Sequence, residues 1–193
     1  MKVLFEKIHH LAKPYLNTRD NDIHTEICIK FAYRLLEKEG GDEDIVIPAI
    51  ILHDVGWKKV PQNLQLRAFG PKARYPRINR IHETEGVKIA KDILEKIHYD
   101  AQRIEEILEI IDGHDSRKTA ISLHDKIVKD ADRLWRISKK GFQLDIERFG
   151  ETFLEGHNRI RSHLHEWFFT NSAREIAREE IKKREREARR AQH

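Results

Sequence analysis

The sequence is poor in the residues that would suggest several protein classes. It has a single cysteine, Cys28, and a single methionine in 193 residues. One thiol cannot build an internal disulfide and suits a reducing compartment. No apolar run approaches the length of a membrane span, and no apolar stretch near the start leads into a small-residue cleavage site. The expectation is a soluble, unexported, cytoplasmic chain with no membrane partner. Period-two alternation is missing, which predicts no substantial sheet, and there is no internal repeat. Charge of one sign is missing too: 37 basic against 33 acidic residues leave +4. That balance is weak support for nucleic acid and better support for some anionic partner.

Charge itself is plentiful, 36% of residues against a usual quarter or so, and so is histidine, with twelve spread along the chain. The apolar periodicity is helical nearly throughout. It predicts helices at about 2–12, 21–39, 44–55, 81–98, 100–112, 122–140, 143–169 and 171–191. Gly40-Gly41 separates the second and third, Gly56 closes the third, and Ser122 with Asp125 reads as a capping box. The fold class expected is all-α: one helical domain over 1–172, with a charged helix or tail at 173–193. That tail shows little apolar stripe but favourably ordered pairs such as Glu179–Lys183 and Glu180–Arg184, which describes a solvated, fraying helix.

Residues 57–81 break the pattern. They hold three prolines, one glycine, no acid and seven cations: Lys58, Lys59, Arg67, Lys72, Arg74, Arg77 and Arg80. Long connections of this kind in compact domains tend to be functional lids or disordered.

Four histidines are directed to the core. His24 leads Ile27, Cys28, Phe31 and Leu35 at helical spacing, and His82 leads Gly86, Ala90, Ile93 and Ile97. His114 continues the face of Ile104, Ile107 and Leu108. His53 ends IPAIIL, the most apolar helix, and is followed by Asp54. One such histidine is ordinarily a hydrogen-bonded core residue. Four of them, with a carboxylate alongside, make the donor set of a divalent cation, which would also supply the charge a buried carboxylate lacks. On the later helix KIVKDADRLWRI, Asp130 and Asp132 flank the buried face on opposite sides, and periodicity does not choose between them. His114-Asp115 and His124-Asp125 repeat the dipeptide, but Asp125 reads as a helix-start residue, with His124 beside it, and Asp115 as a cap or surface group.

The ordered series His24, His53-Asp54, His82, His114 and an Asp in DADRL resembles the HD-domain metal-dependent phosphohydrolases over about residues 20–140. Its gaps are 29, 29 and 32 residues. The resemblance implies an HD-type helical bundle and selects Asp132, with Asp130 second. It implies one divalent metal on His24, His53, Asp54 and Asp132, and a second on His82 and His114 with Asp54 as the bridge. Mixed imidazole and carboxylate donors without cysteine suit Mn, Fe, Co or Ni sooner than structural Zn, with Mg a further candidate. Such metals acidify water and clamp the oxygens of a displacement at phosphorus. Asp54, His82 and His114 are then the catalytic candidates, the two histidines contacting phosphate or protonating the leaving oxygen if the second metal is absent. The acid-free stretch begins just after His53-Asp54 and ends at His82. It would lie over the metals and hold a phosphorylated small molecule, a nucleotide among the candidates, through Lys58, Arg74, Arg77 and Arg80. Two other readings remain: a di-iron oxygenase on the same ligand order, and a non-catalytic basic helical domain binding RNA or protein.

Overall fold

The computed structural model describes residues 1–65, 68 and 77–190. Among the described residues ten α-helices run in order: α1 Val3–Leu16, α2 Asn21–Glu39, α3 Glu43–Leu52, α4 Gln62–Gln65, α5 Arg77–Lys96, α6 Ala101–Ile111, α7 Leu123–Leu134, α8 Lys139–Phe149, α9 Phe153–Trp167 and α10 Asn171–Arg190. Short 3-10 turns, Val55–Lys59 and Trp135–Ile137, follow α3 and α7. No strand occurs among the described residues, so the fold is all-α as the periodicity predicts. No helix among them is long and apolar enough to cross a membrane.

The apolar run of α3 explains the arrangement. Every residue from Ile45 to Leu52 is buried, so this helix has no solvent face and must lie in the middle. Around it pack α1, α2, α6 and α7. Asp42 caps its start by accepting from Asp44 N at 2.8 Å. Pro48 stands inside it and, lacking an N–H, leaves the Asp44 carbonyl without its intrahelical donor. The Tyr99 hydroxyl fills that vacancy, donating to Asp44 O at 2.6 Å. The helix thus keeps its course through a proline because a neighbouring side chain replaces the missing bond.

Several boundaries differ from the sequence reading for identifiable reasons. Gly56 does not end α3; it sits in the following 3-10 turn where the chain meets α5. A Cβ there would lie 1.9 Å from His82 O and 2.5 Å from Gly86 N, so only glycine permits this approach. The expected helix 143–169 is two helices. Gly150, in the left-handed region at φ 64, stops α8, and Thr152 with Glu155 forms a capping box that starts α9. At α7, Ser122 accepts from Asp125 N, but the Asp125 carboxylate accepts from Ile121 N and Arg117 instead of closing the box. The stretch 57–81 is partly structured: α4 lies within it and α5 begins at Arg77. Trp57, Val60, Ala68 and Ile78 form a small apolar cluster of their own. Arg67, Lys72 and Arg74 lie outside the described residues.

The largest departure is α10. It buries Ala173, Ile176, Ala177, Glu180, Ile181 and Arg184, one face at helical spacing, and packs on α2, α7 and α9. Glu180 is paired there with Lys183 at 2.7 Å and Arg34 at 3.6 Å. The stripe escapes a hydropathy reading because two of its six members are charged. Truncating Ile176, which is fully buried, to alanine is expected to cost about 2–5 kcal/mol, seen as a lowered urea midpoint with unchanged slope. A fraying helix would show almost no change.

Candidate metal centre

The end of α3 sets the site. His53 is its C-cap residue, and its ring Nδ1–H donates to the Ile50 carbonyl at 2.7 Å, one of the carbonyls a helix end leaves free. His114, three residues past Ile111 after α6, repeats the device at 2.9 Å. Each bond fixes the ring orientation and directs Nε2 inward. His24 enters from α2 and His82 from α5.

These nitrogens meet in two pairs. His24 Nε2 and His53 Nε2 are 3.0 Å apart, and His82 Nε2 and His114 Nε2 are 3.2 Å apart. The Asp54 carboxylate lies between them. Its Oδ2 is 3.5 and 3.8 Å from the first pair, and its Oδ1 is 3.8 and 3.6 Å from the second. Asp132 Oδ1 joins the first pair at 3.2 and 3.6 Å. Two donors about 2.1 Å from one ion lie about 3.0 Å apart at a right angle and about 3.4 Å at the tetrahedral angle. The His24–His53, His82–His114 and His24–Asp132 separations, 3.0, 3.2 and 3.2 Å, fall in that range, the other donor pairs lie just beyond it, and both clusters have the chemistry to hold a divalent cation.

Charge is redistributed accordingly. Burial would raise the Asp54 carboxyl, but His53, the hydrogen bond from His114 and then His24 hold it well below the ordinary range. Asp132 is held well below it by His24 and His53 against the same burial. Burial, and then the charge on His114, pushes His82 down to about 4. His114 goes up to about 10 because Asp54 and Asp115 outweigh its burial. Cys28, with Sγ 3.6 Å from His24 Nε2, is pushed well up by burial and stays a thiol.

The two DADRL aspartates have separate positions. Asp130 is fully buried and accepts from Phe169 N, Thr170 N and Thr170 Oγ1 at 2.8–2.9 Å, fixing the chain ahead of α10. Asp132 alone faces the histidines. Asp115, read from sequence as a cap or surface group, instead brings Oδ2 to 3.6 Å from His82 Nε2. His124 accepts from Asp42 N and pairs with Glu106, a structural role.

The cations nearest the centre are not those the sequence highlighted. A cavity of about 60 Å³ beside Asp54 is lined by Arg19, Arg136 and Arg148, with His24, Trp57, Asp115 and Asp132. Arg19 and the next residue, Asp20, both occupy the left-handed region, at φ 57 and 58. Each such residue costs about 1–3 kcal/mol, a strain typical of functional sites. Arg148 holds this turn by donating to Arg19 O at 2.8 Å, and the Arg19 guanidinium lies 3.8 Å over Trp57. Trp57 stacks on His82 at 4.0 Å and donates to Asp54 Oδ1 at 2.9 Å. Of the expected substrate residues, Lys58 donates to Asn17 and lines a neighbouring cleft that meets the cavity at Arg19. Arg77 is exposed at the start of α5. Arg80 is held by Glu83 at 2.6 Å and by Asp112 at 2.9 Å, away from the cavity. Arg74 lies outside the described residues. No sequence pattern marks Arg19, Arg136 and Arg148, which come from a loop, a 3-10 turn and α8.

A helical bundle that brings a His/Asp series of this order to one buried point defines a class, and the sequence comparison supplies the family. The family model for the HD domain matches residues 21–137, and the chain belongs to that family. Its fold is similar to the crystal structure of a predicted HD superfamily hydrolase from an uncultured Thermotogales bacterium. That likeness has a TM-score of 0.64 at 21% identity and covers 96% of this chain and 89% of the other. No curated protein matches the sequence significantly. Members of this superfamily are generally metal-dependent hydrolases, and this chain has the His/Asp clusters such chemistry requires.

The two aspartates should separate experimentally. Asp130→Ala leaves one buried and one part-buried backbone N–H without an acceptor and is expected to lower stability by about 1–3 kcal/mol, with metal uptake retained. Asp132→Ala is expected to fold normally while bound metal, measured by elemental analysis, falls.

Proposed function

We propose that the protein is a metal-dependent phosphohydrolase acting on a small phosphorylated molecule. The observation that carries this reading is the carboxylate of Asp54, which faces one histidine pair with each oxygen beside a cavity walled by three arginines. When bound, divalent ions at the two clusters would supply Lewis-acid polarisation and acidify a water. The chain's own residues do the rest. His24, His53, Asp54 and Asp132 serve as one ligand set, and His82 and His114 with Asp54 as the other. Trp57 holds the Asp54 carboxylate through its indole N–H and covers His82, keeping bulk water from that side.

Arg19, Arg136 and Arg148 orient the phosphoryl group, since guanidinium matches its geometry and keeps its charge at any working pH. Three guanidinium groups favour a phosphate over dioxygen, which has no charge for them to hold. Beyond Arg136 the cavity meets a cleft of about 530 Å³ that shares Asp115 and Asp132 and is walled by Arg133, Phe149, Arg159, His163 and Trp167. Its size suits the leaving group of a metabolite phosphoester, nucleotides included.

Elemental analysis of purified protein, with phosphate release from phosphomonoesters, diphosphates, triphosphates and cyclic dinucleotides, tests the reading. Asp54→Ala is expected to lose both bound metal and release, and full activity in that variant would sink the mechanism. Arg136→Ala is expected to raise KM by about 10- to 100-fold, the value of one charge-assisted hydrogen bond, at unchanged metal content. Adding the activating metal to stripped protein should raise stability by about 2.7 kcal/mol at a hundred times its Kd, read as a shift in Tm.

A further inference from the structure

The turn after α6 carries His114, yet no helix or strand of its own holds it. Two buried charged side chains hold it instead. Glu83, fully buried on α5, accepts from Asp115 N at 3.0 Å and Ser116 N at 2.8 Å with Oε1. Its Oε2 accepts from Ser116 Oγ at 2.7 Å and from Arg80 at 2.6 Å. From the other side comes Lys129 on α7, 1% exposed. Its Nζ donates to the carbonyls of Gly113, His114 at 2.9 Å and Arg117 at 3.2 Å.

An ammonium has three donors, and here all three go to carbonyls of one turn. The carboxylate takes the N–H groups of the same turn. Burying a carboxylate and an ammonium is unfavourable unless each is fully hydrogen-bonded, and packing alone would be served by apolar side chains. Both charges are therefore matched to the backbone polarity of residues 113–117. Arg80 strengthens the hold by donating to Asp112 O at 2.9 Å.

The held turn presents a second side chain. The Asp115 carboxylate is 35% exposed and makes no hydrogen bond among the described residues. Its Oδ2 stands 3.6 Å from His82 Nε2, in a cluster with His82 and His114. We propose that Asp115 is a ligand of the second divalent cation, together with His82 and His114, and that Glu83 and Lys129 are positioning residues that fix the turn carrying both. This rests on the metal-centre reading above but not on the phosphohydrolase activity. A second carboxylate turns a mainly imidazole site toward cations that favour oxygen, Mn²⁺ among them.

Equilibrium dialysis against Mn²⁺ with elemental analysis tests the proposal. The wild-type chain is expected to bind two ions, the one lost in Asp132→Ala being the first. Asp115→Asn, which disturbs no described hydrogen bond, should keep the first ion and weaken the second at least about tenfold. Glu83→Gln and Lys129→Met should weaken the second ion by about 10- to 100-fold, and Lys129→Arg, which keeps the charge and donors, should recover part of it. Wild-type uptake of a single ion overturns the proposal, as does a second-ion Kd in Asp115→Asn equal to wild type. Should Glu83→Gln or Lys129→Met unfold, by circular dichroism, Asp115→Asn still decides the ligand, and Lys129→Arg decides the positioning role by whether its second-ion Kd departs from wild type. Two ions with the expected Asp115 dependence, but no phosphate release from any substrate, would leave this inference standing and remove the hydrolase reading.

Discussion

A carboxylate placed among four imidazoles at the end of the most apolar helix is the constraint from which the rest of the site follows. Asp54 cannot move away from its position, because α3 has no polar face on which to slide or rotate toward solvent. Its two oxygens face different histidine pairs, so any element that carries one of those histidines must approach this one point. The bundle is arranged around that demand: α2, α5, α7 and the turn after α6 converge on the C-terminal end of α3. The helix terminus contributes as well as the side chains. Its free carbonyls orient His53, and the same use of a carbonyl three residues back orients His114.

The second pair depends on how closely two backbones can come. His82 reaches Asp54 only because the 3-10 turn after α3 lies against α5 at Gly56, facing Gly86. A side chain at Gly56 would push His82 and Trp57 apart, removing the ring that covers His82 and the indole donor to Asp54. A glycine that looks like a helix stop in the sequence is therefore part of the site's construction. The contact brings together His53 and His82, which stand 29 residues apart in the chain. The junction, and not the length of the connection, sets their distance.

How much of this was legible in the sequence follows from what periodicity can report. The core-facing histidines, the helical class and the boundaries of α2 were readable because they rest on spacing within one helix. The break at Gly150 was present as a glycine followed by a Thr-x-x-Glu box, and was overrun by apolar residues on both sides. The burial of α10 was hidden because Glu180 and Arg184 lie on its inner face, and a charged residue is counted as outward-facing whatever neutralises it. Periodicity does not distinguish Asp130 from Asp132, since both flank Ala131 symmetrically, and the choice of Asp132 came from the family resemblance alone. What separates them is a tertiary fact, that the backbone at 169–170 needs an acceptor.

The cations show the same limit from the opposite side. The acid-free stretch stands out because seven cations fall in one segment without an acid, and such clustering is visible in a sequence. The three arginines that wall the cavity come from separate elements, far apart in the chain, and only the fold brings them together beside Asp54. Arg136 illustrates why this matters for function. Its bond to buried Asp145, which Arg159 also holds, fixes the guanidinium before any ligand arrives, so less conformational freedom is lost on binding than a lysine on an open loop would lose. Under the proposed function, a phosphoryl group entering between the His/Asp cluster and these arginines would meet donors already in place. For an anion, that preorganisation would place recognition in the bundle wall.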